Sequence, residues 1–252
     1  ISGHPLSNKY LEYRDYKEGS VLNSISYLIG SKIGFLEVNA KGIAKNDQTS
    51  TLRLGKYGRY YLNLSWDQIP HSFSNHSKLF FTETQKGVYT LADSIQSRLQ
   101  GASDAQTRLL MASYLSKAQR YPLSYRRDKL VGEVKIAPTR DIDLKLSYSN
   151  EKKAGYKATS GTPGRFNMID LPEPINFLTH QVDAQAQYSQ KTWSIRGDLG
   201  VSVFDNKLEA LIWDDPFRLT DTSGGGRSIP RAAVVKMGVA PDNWAGNTSI
   251  SG

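Results

Sequence analysis

The chain has 252 residues, 38% of them hydrophobic and 22% charged, with a formal net charge of +8. No apolar run approaches the ~18–20 residues of a membrane-crossing helix, so any crossing must be made by strands closed into a barrel. Cysteine is absent, which excludes disulfides, thiolate metal sites and covalent attachment of a c-type haem to this chain; Lys and Arg are scattered rather than clustered with stacking aromatics, which argues against nucleic acid.

Residues Ile1 to Pro5 carry neither the basic nor the apolar region of a signal peptide, so a leader is expected to be absent, removed or upstream. From there period-two alternation dominates and predicts nine strands. They cover 9–17, 19–29, 34–42, 48–55 and 58–69, then 124–136, 140–152, 177–189 and 192–205. Leu36, Val38 and Ala40 alternate with Glu37, Asn39 and Lys41. Tyr60, Leu62, Leu64 and Trp66 face one way, and Arg59, Tyr61, Asn63, Ser65 and Asp67 the other. Ile142 to Tyr148 and Val182 to Tyr188 repeat the pattern, so each strand has one apolar and one polar wall.

Between the fifth and sixth strands, residues 70–123 form a long insertion with expected helical content. Thr90 with Asp93 can start one helix that Gly101 breaks, and Ser103 with Gln106 has capping-box spacing ahead of Leu109, Leu110, Tyr114 and Leu115. Residues 153–176 read as a second long connection, with Pro172 and Pro174 stiffening it. Residues 216–252 read as a loop or unfinished strand region, and Ser223 to Gly226 as a flexible loop.

Several strands run to roughly 11–14 residues, where globular strands cluster near ~5–6 and tilted membrane strands need ~9–11. Tyr57, Tyr60, Trp66, Tyr148, Tyr188, Trp193 and Phe204 lie near strand ends, as in membrane-interface belts. The tight connections at 30–33, 56–57, 137–139 and 190–191 alternate with the long ones, so the two kinds fall on opposite sides of one sheet. Short connections are periplasmic in bacterial barrels, which puts the long ones outside. The predicted fold is all-β: part of a large transmembrane antiparallel up-and-down β-barrel with long strands and one long loop with some helix. Residues 1–252 make a single partial barrel domain, expected to be truncated at both ends and to show an open sheet by itself.

Two stretches resemble the MtrB/PioB family of decahaem-cytochrome-associated outer-membrane barrels. One is Gly55-Lys56-Tyr57-Gly58-Arg59-Tyr60 running into Trp66-Asp67-Gln68-Ile69-Pro70-His71-Ser72-Phe73-Ser74. The other is Asp170-Leu171-Pro172-Glu173-Pro174-Ile175, then Thr179-His180, Phe204-Asp205-Asn206 and Trp213-Asp214-Asp215-Pro216-Phe217. Asn176-Phe177-Leu178 departs from the family, which has an acidic residue and a Tyr there more often. The family also runs to more than twice this length, and the thiol pair of some members is missing. The resemblance implies an outer-membrane sheath in a Gram-negative bacterium. It would enclose a periplasmic multihaem c-type cytochrome, with an extracellular multihaem cytochrome as a further partner, and support electron transfer to or from metal oxides or soluble iron. The haem c would belong to the partner.

Neither catalytic nor metal-binding residues are predicted. His71 and His76 share a loop without a third ligand, Asp214-Asp215 reads as turn chemistry before Pro216, and Gly224 to Gly226 lack the ending of a phosphate loop. The candidate functional surface is the polar wall, expected to face the lumen: Arg59, Asp67, Glu133, Lys135, Asp141, Asp143, Lys145, Asp183, Arg196 and Asp198. Two other functions compete. A porin-type diffusion channel predicts the same strands without haem; a soluble β-rich adhesin or carbohydrate-binding module predicts apolar walls packed against another sheet.

Overall fold

The computed structural model describes residue 13 and residues 22–164, 167–221 and 232–252. In chain order the elements are β1 (Ser24–Gly30), β2 (Gly34–Lys41), β3 (Thr49–Lys56), β4 (Tyr60–Ser74), β5 (Lys78–Leu79), β6 (Thr82–Gln85), β7 (Val88–Thr90), α1 (Asp93–Gln100), α2 (Asp104–Lys117), β8 (Gln119–Arg120), β9 (Leu123–Ile136), β10 (Ile142–Gly164), β11 (Asn167–Ser189), β12 (Ser194–Asn206), β13 (Ala210–Asp214), β14 (Val234–Gly238) and β15 (Asn243–Ser251). Nine of them form one sheet in the order β1-β2-β3-β4-β9-β10-β11-β12-β15. Every neighbouring pair is antiparallel. Insertions aside, each strand pairs with the next along the chain, which is the predicted up-and-down order. β1 and β15 are the edges, and the sheet is open.

Register sorts the side chains into two walls. Ile29, Leu36, Leu54, Leu62, Val134, Leu146, Ala184, Leu199 and Thr248 stand in one row across all nine strands. The row one residue along is Leu28, Glu37, Arg53, Asn63, Glu133, Ser147, Asp183, Gly200 and Asn247. Because successive side chains point to opposite faces, the first row belongs to an apolar wall and the second to a polar one. The apolar wall is uncovered: Leu146 is 54% exposed, Leu199 52% and Trp244 76%. A sandwich would bury this wall under a second sheet, so the soluble β-module is excluded in favour of a wall built for lipid.

Aromatics bound that wall. Trp66 and Trp244 share one row, with Tyr148 two residues nearer the middle on the same wall. Tyr60 and Tyr188 lie towards the other end, and the Trp193 ring is 5.4 Å from that of Tyr188. The six steps from Tyr60 to Trp66 span about 20 Å along the strand. Above Trp66 the same wall turns polar: Gln48 Nε2 donates to Gln68, and Gln68 Nε2 donates to Asp128 (3.0 Å).

The predicted strand at 9–17 and the start of that at 19–29 lie outside the described residues, apart from Tyr13; the others are found with shifts at their ends. One expectation is overturned. Residues 153–176 are mostly strand rather than loop, because β10 and β11 form a hairpin of two 23-residue strands. Pro172 and Pro174 suggested a loop, but they lie two apart, so both missing donors fall on one side of the strand. Pairing with β12 begins only at Phe177. The proline stretch is therefore an edge, where proline is tolerated.

The extended hairpin carries a cap. β14, β13, β7 and β6 make a second sheet, in which β13 and β7 are parallel. Leu79, Phe81, Tyr89, Leu91, Leu211 and Trp213 pack with Ile169 and Leu171 of β11 into the buried apolar core. Ile169 and Leu171 continue the parity of the polar wall, so the cap lies over that side of the hairpin. α1 begins after Ala92, which makes no side-chain cap, and ends at Gly101. α2 starts with the expected capping box, Ser103 N donating to Gln106 Oε1 (3.0 Å) and Gln106 N to Ser103 Oγ (3.5 Å).

Candidate functional site

Two spacings organise the polar wall. Residues two apart on a strand stand about 6.8 Å apart on the same wall, and directly opposed residues on neighbouring strands are closer still. Long charged side chains bridge both gaps. Glu133 receives Lys145 from the next strand (2.9 Å) and Lys135 from its own (3.1 Å). Arg196 makes a forked contact with Asp198, Nη2 lying 2.8 Å from Oδ1 and Nε 2.8 Å from Oδ2. Arg127 joins Asp67 (3.5 Å) to Glu151 (3.2 Å), and Lys153 also reaches Glu151 (3.1 Å). Asp183 accepts from Gln181 (2.9 Å), and Ser249 Oγ lies 3.4 Å from Asp198.

Of the ten predicted wall residues, Asp67, Glu133, Lys135, Asp143, Lys145, Asp183, Arg196 and Asp198 share this wall by register. Arg59 and Asp141 stand one residue outside their strands, in the short turns. Glu37, Arg53, Arg127, Lys129, Glu151 and Lys153 belong to the same network and were missed. Their parity was available: Arg127 and Lys129 alternate in step with Glu133 and Lys135, and Glu151 and Lys153 with Lys145.

The other flagged groups serve the frame. Leu91 N donates to Asp214 Oδ2 (2.8 Å) and Phe217 N to Asp215 Oδ1 (2.9 Å), so this carboxylate pair satisfies backbone donors. His71 contacts the Tyr13 hydroxyl (2.9 Å) and packs on Phe73 and Tyr125; His180 contacts the Tyr148 hydroxyl (2.8 Å). Among the described residues no group of three or more His, Asp or Glu has metal-binding geometry. Gly224 to Gly226 lie outside the described residues.

A second polar centre joins the cap to the hairpin. Glu83 Oε2 accepts from the hydroxyls of Tyr121 (3.0 Å) and Tyr156 (3.0 Å), and Lys86 Nζ donates to Tyr156 (2.8 Å). Tyr89 donates to the Pro172 carbonyl (2.5 Å). Burial, reinforced by the Glu83 charge, pushes the Tyr89 hydroxyl well above its ordinary pKa; burial likewise raises Tyr121, with the Tyr156 hydrogen bond adding to it. Sequence gave no signal for this hub, since its members come from positions as distant as 83 and 156.

The model of the MtrB/PioB family, outer-membrane β-barrel porins, matches residues 8–252. The outer membrane protein MtrB of Shewanella baltica (strain OS185) is 27% identical over 231 residues, covering 90% of this chain and 28% of that protein. The chain thus spans well under a third of that relative's length. Among solved structures, in-vitro folded OmpT, an outer membrane protein of Vibrio cholerae, matches at 9% identity and a TM-score of 0.25. That match covers 97% of this chain and 73% of the other.

Proposed function

We propose a sheath function for this chain, which belongs to the MtrB/PioB family of outer-membrane β-barrel proteins. Its place is the outer membrane. The proposal is that the complete barrel encloses a periplasmic multihaem c-type cytochrome, so that electrons cross the membrane through haems held by the partner.

One observation carries the reading. Nine strands, five of them of 13 residues or more, lie side by side in a chain that spans 28% of the relative's length. At that density the full protein closes more than ~20 strands, and a barrel so wide has a lumen able to hold another protein, where an 8-stranded one is filled by its own side chains. The polar wall suits an occupied interior. Its charges are largely paired with each other, so a partner can slide past without strong ionic capture, while the apolar wall meets lipid. The cap sits at the end of the long connections, beyond the residues of β11 that pair with β12, and reads as a rim lid.

The test is purification of the full-length protein from native outer membranes in mild detergent. A sheath co-purifies with a haem-stained multihaem cytochrome at fixed stoichiometry. A haem-free protein that conducts ions through an open pore in planar bilayers overturns the sheath and favours a porin-type channel.

A further inference from the structure

Four short connections lie at the end of the sheet away from the cap: 31–33, 57–59, 137–141 and 190–193. With the strand residue beside one of them they hold Lys32, Lys56, Arg59, Arg140 and Lys191, against Asp141 as the lone acid. All five cations are exposed, and among the described residues none of their side chains makes an ion pair or a hydrogen bond. The opposite end differs. There Arg126 pairs with Asp128 (2.8 Å), Arg127 with Glu151 (3.2 Å) and Lys157 with Glu173 (2.9 Å). One end of the sheet thus compensates much of its charge from within, Lys41, Lys45 and Lys152 apart, whereas all five cations of the other await an external counter-charge.

Two observations say what supplies it. Tyr57, Tyr60, Tyr188 and Trp193 stand exposed at the same level, and Tyr and Trp belong at the headgroup layer of a bilayer, where Lys and Arg stems reach for the interface. The cations are also spread across the sheet, at least one in each of the four hairpins from β1–β2 to β11–β12, rather than gathered on one wall. An acidic protein inside the barrel would meet only the polar wall; a planar anionic layer meets every turn. We propose that this short-turn rim binds the headgroup phosphates of anionic phospholipids. The inference rests on the outer-membrane barrel and not on the cytochrome reading, so it stands or falls separately.

The test uses the full-length barrel in detergent, mixed with phosphatidylglycerol and phosphatidylcholine of equal chain length, with retained lipid counted by native mass spectrometry. A cation near an anionic surface contributes about fivefold in affinity, so the native protein should prefer phosphatidylglycerol by about tenfold or more. The quadruple variant K32Q/K56Q/R140Q/K191Q should fall towards parity. Arg59 stays native because its parity is that of the polar wall. A matched control that removes four cations at the opposite end, K41Q/K45Q/R126Q/K152Q, should keep the preference. Salt provides a measurement without substitution: at about 0.5 M, where charges are screened beyond roughly 4 Å, the native preference should collapse. No preference in the native protein, its survival in the quadruple variant or in high salt, or equal loss in the control overturns the proposal. So does loss of a co-purifying acidic protein from the quadruple variant with its lipid preference intact, which would make the rim a protein-docking site.

Discussion

Glu83, Gly161 and Trp213 show how the cap is held to the barrel side chain by side chain. A Cβ on Gly161 would lie 2.5 Å from the Trp213 ring, which is buried and has no room to yield. Gly161→Ala should therefore loosen the cap by about 1–3 kcal/mol. Faster hydrogen exchange in β7 and β13, with exchange in β9 to β12 unchanged, is the expected readout. The tyrosines around Glu83 predict a pH limit. Tyr89 and Tyr121 have raised folded-state pKa values, so their contribution is fully present below the unfolded value, near 10. It is lost as pH rises from there towards the folded values, because only the unfolded chain then releases the proton. Cap docking, followed by protease sensitivity of residues 91–120, should be flat from neutrality to about pH 10 and weaken above it. Glu83→Gln should ease this alkaline loss by removing the adjacent negative charge. A cap that loosens between pH 6 and 8 would contradict this.

For a single strand, parity decides which solvent a residue meets. Leu146 and Ser147 are neighbours in β10 on opposite walls. Leu146→Arg puts a cation into lipid near the middle of the apolar wall and should cost about 2–4 kcal/mol. Ser147→Arg places the same charge among Lys145, Asp183 and Asp198 and should change stability little. Urea midpoints of the two variants folded into vesicles check this, and equal destabilisation would mean the walls are misassigned. The element that sequence reading misjudged is instructive for the same reason. Proline and glycine between 153 and 176 suggested a loop, yet an edge strand has spare donors on one side and can absorb Pro172 and Pro174 without breaking a ladder. Edge status is a property of neighbours, and no window of sequence contains it.

At the level of the whole molecule, wall and cap are separable. β4 pairs with β9 directly from Tyr60↔Ile136 up to Ser74↔Leu123, so the insertion between them interrupts the chain but not the sheet. Replacing residues 77–121 with a short flexible linker should keep the strand signal in circular dichroism and the heat-modifiable migration of a folded barrel, while uncovering Leu171, Leu211 and Trp213 to hydrophobic dyes. Loss of folding would instead make the insertion part of the barrel's own nucleus. The membership in an outer-membrane family, the uncovered apolar wall and the alternation of short with long connections agree on one arrangement: lipid on one wall, polar space on the other, cap at one rim.

Eight strands of the sheet, their order and their wall assignment were legible in the sequence because a period of two is local: Leu62, Leu64 and Trp66 announce a wall with no knowledge of their partners, whereas β15 falls in a region that reads as loop or unfinished strand. The capping box of α2 was legible for the same reason, since its two groups are three residues apart. The cap core, the Glu83 hub and the strand character of 153–176 were not, because each brings together residues far apart in the chain or depends on which neighbour a strand lacks. Alternation is written residue by residue, whereas burial and edge position are decided only when the chain has chosen what lies beside it.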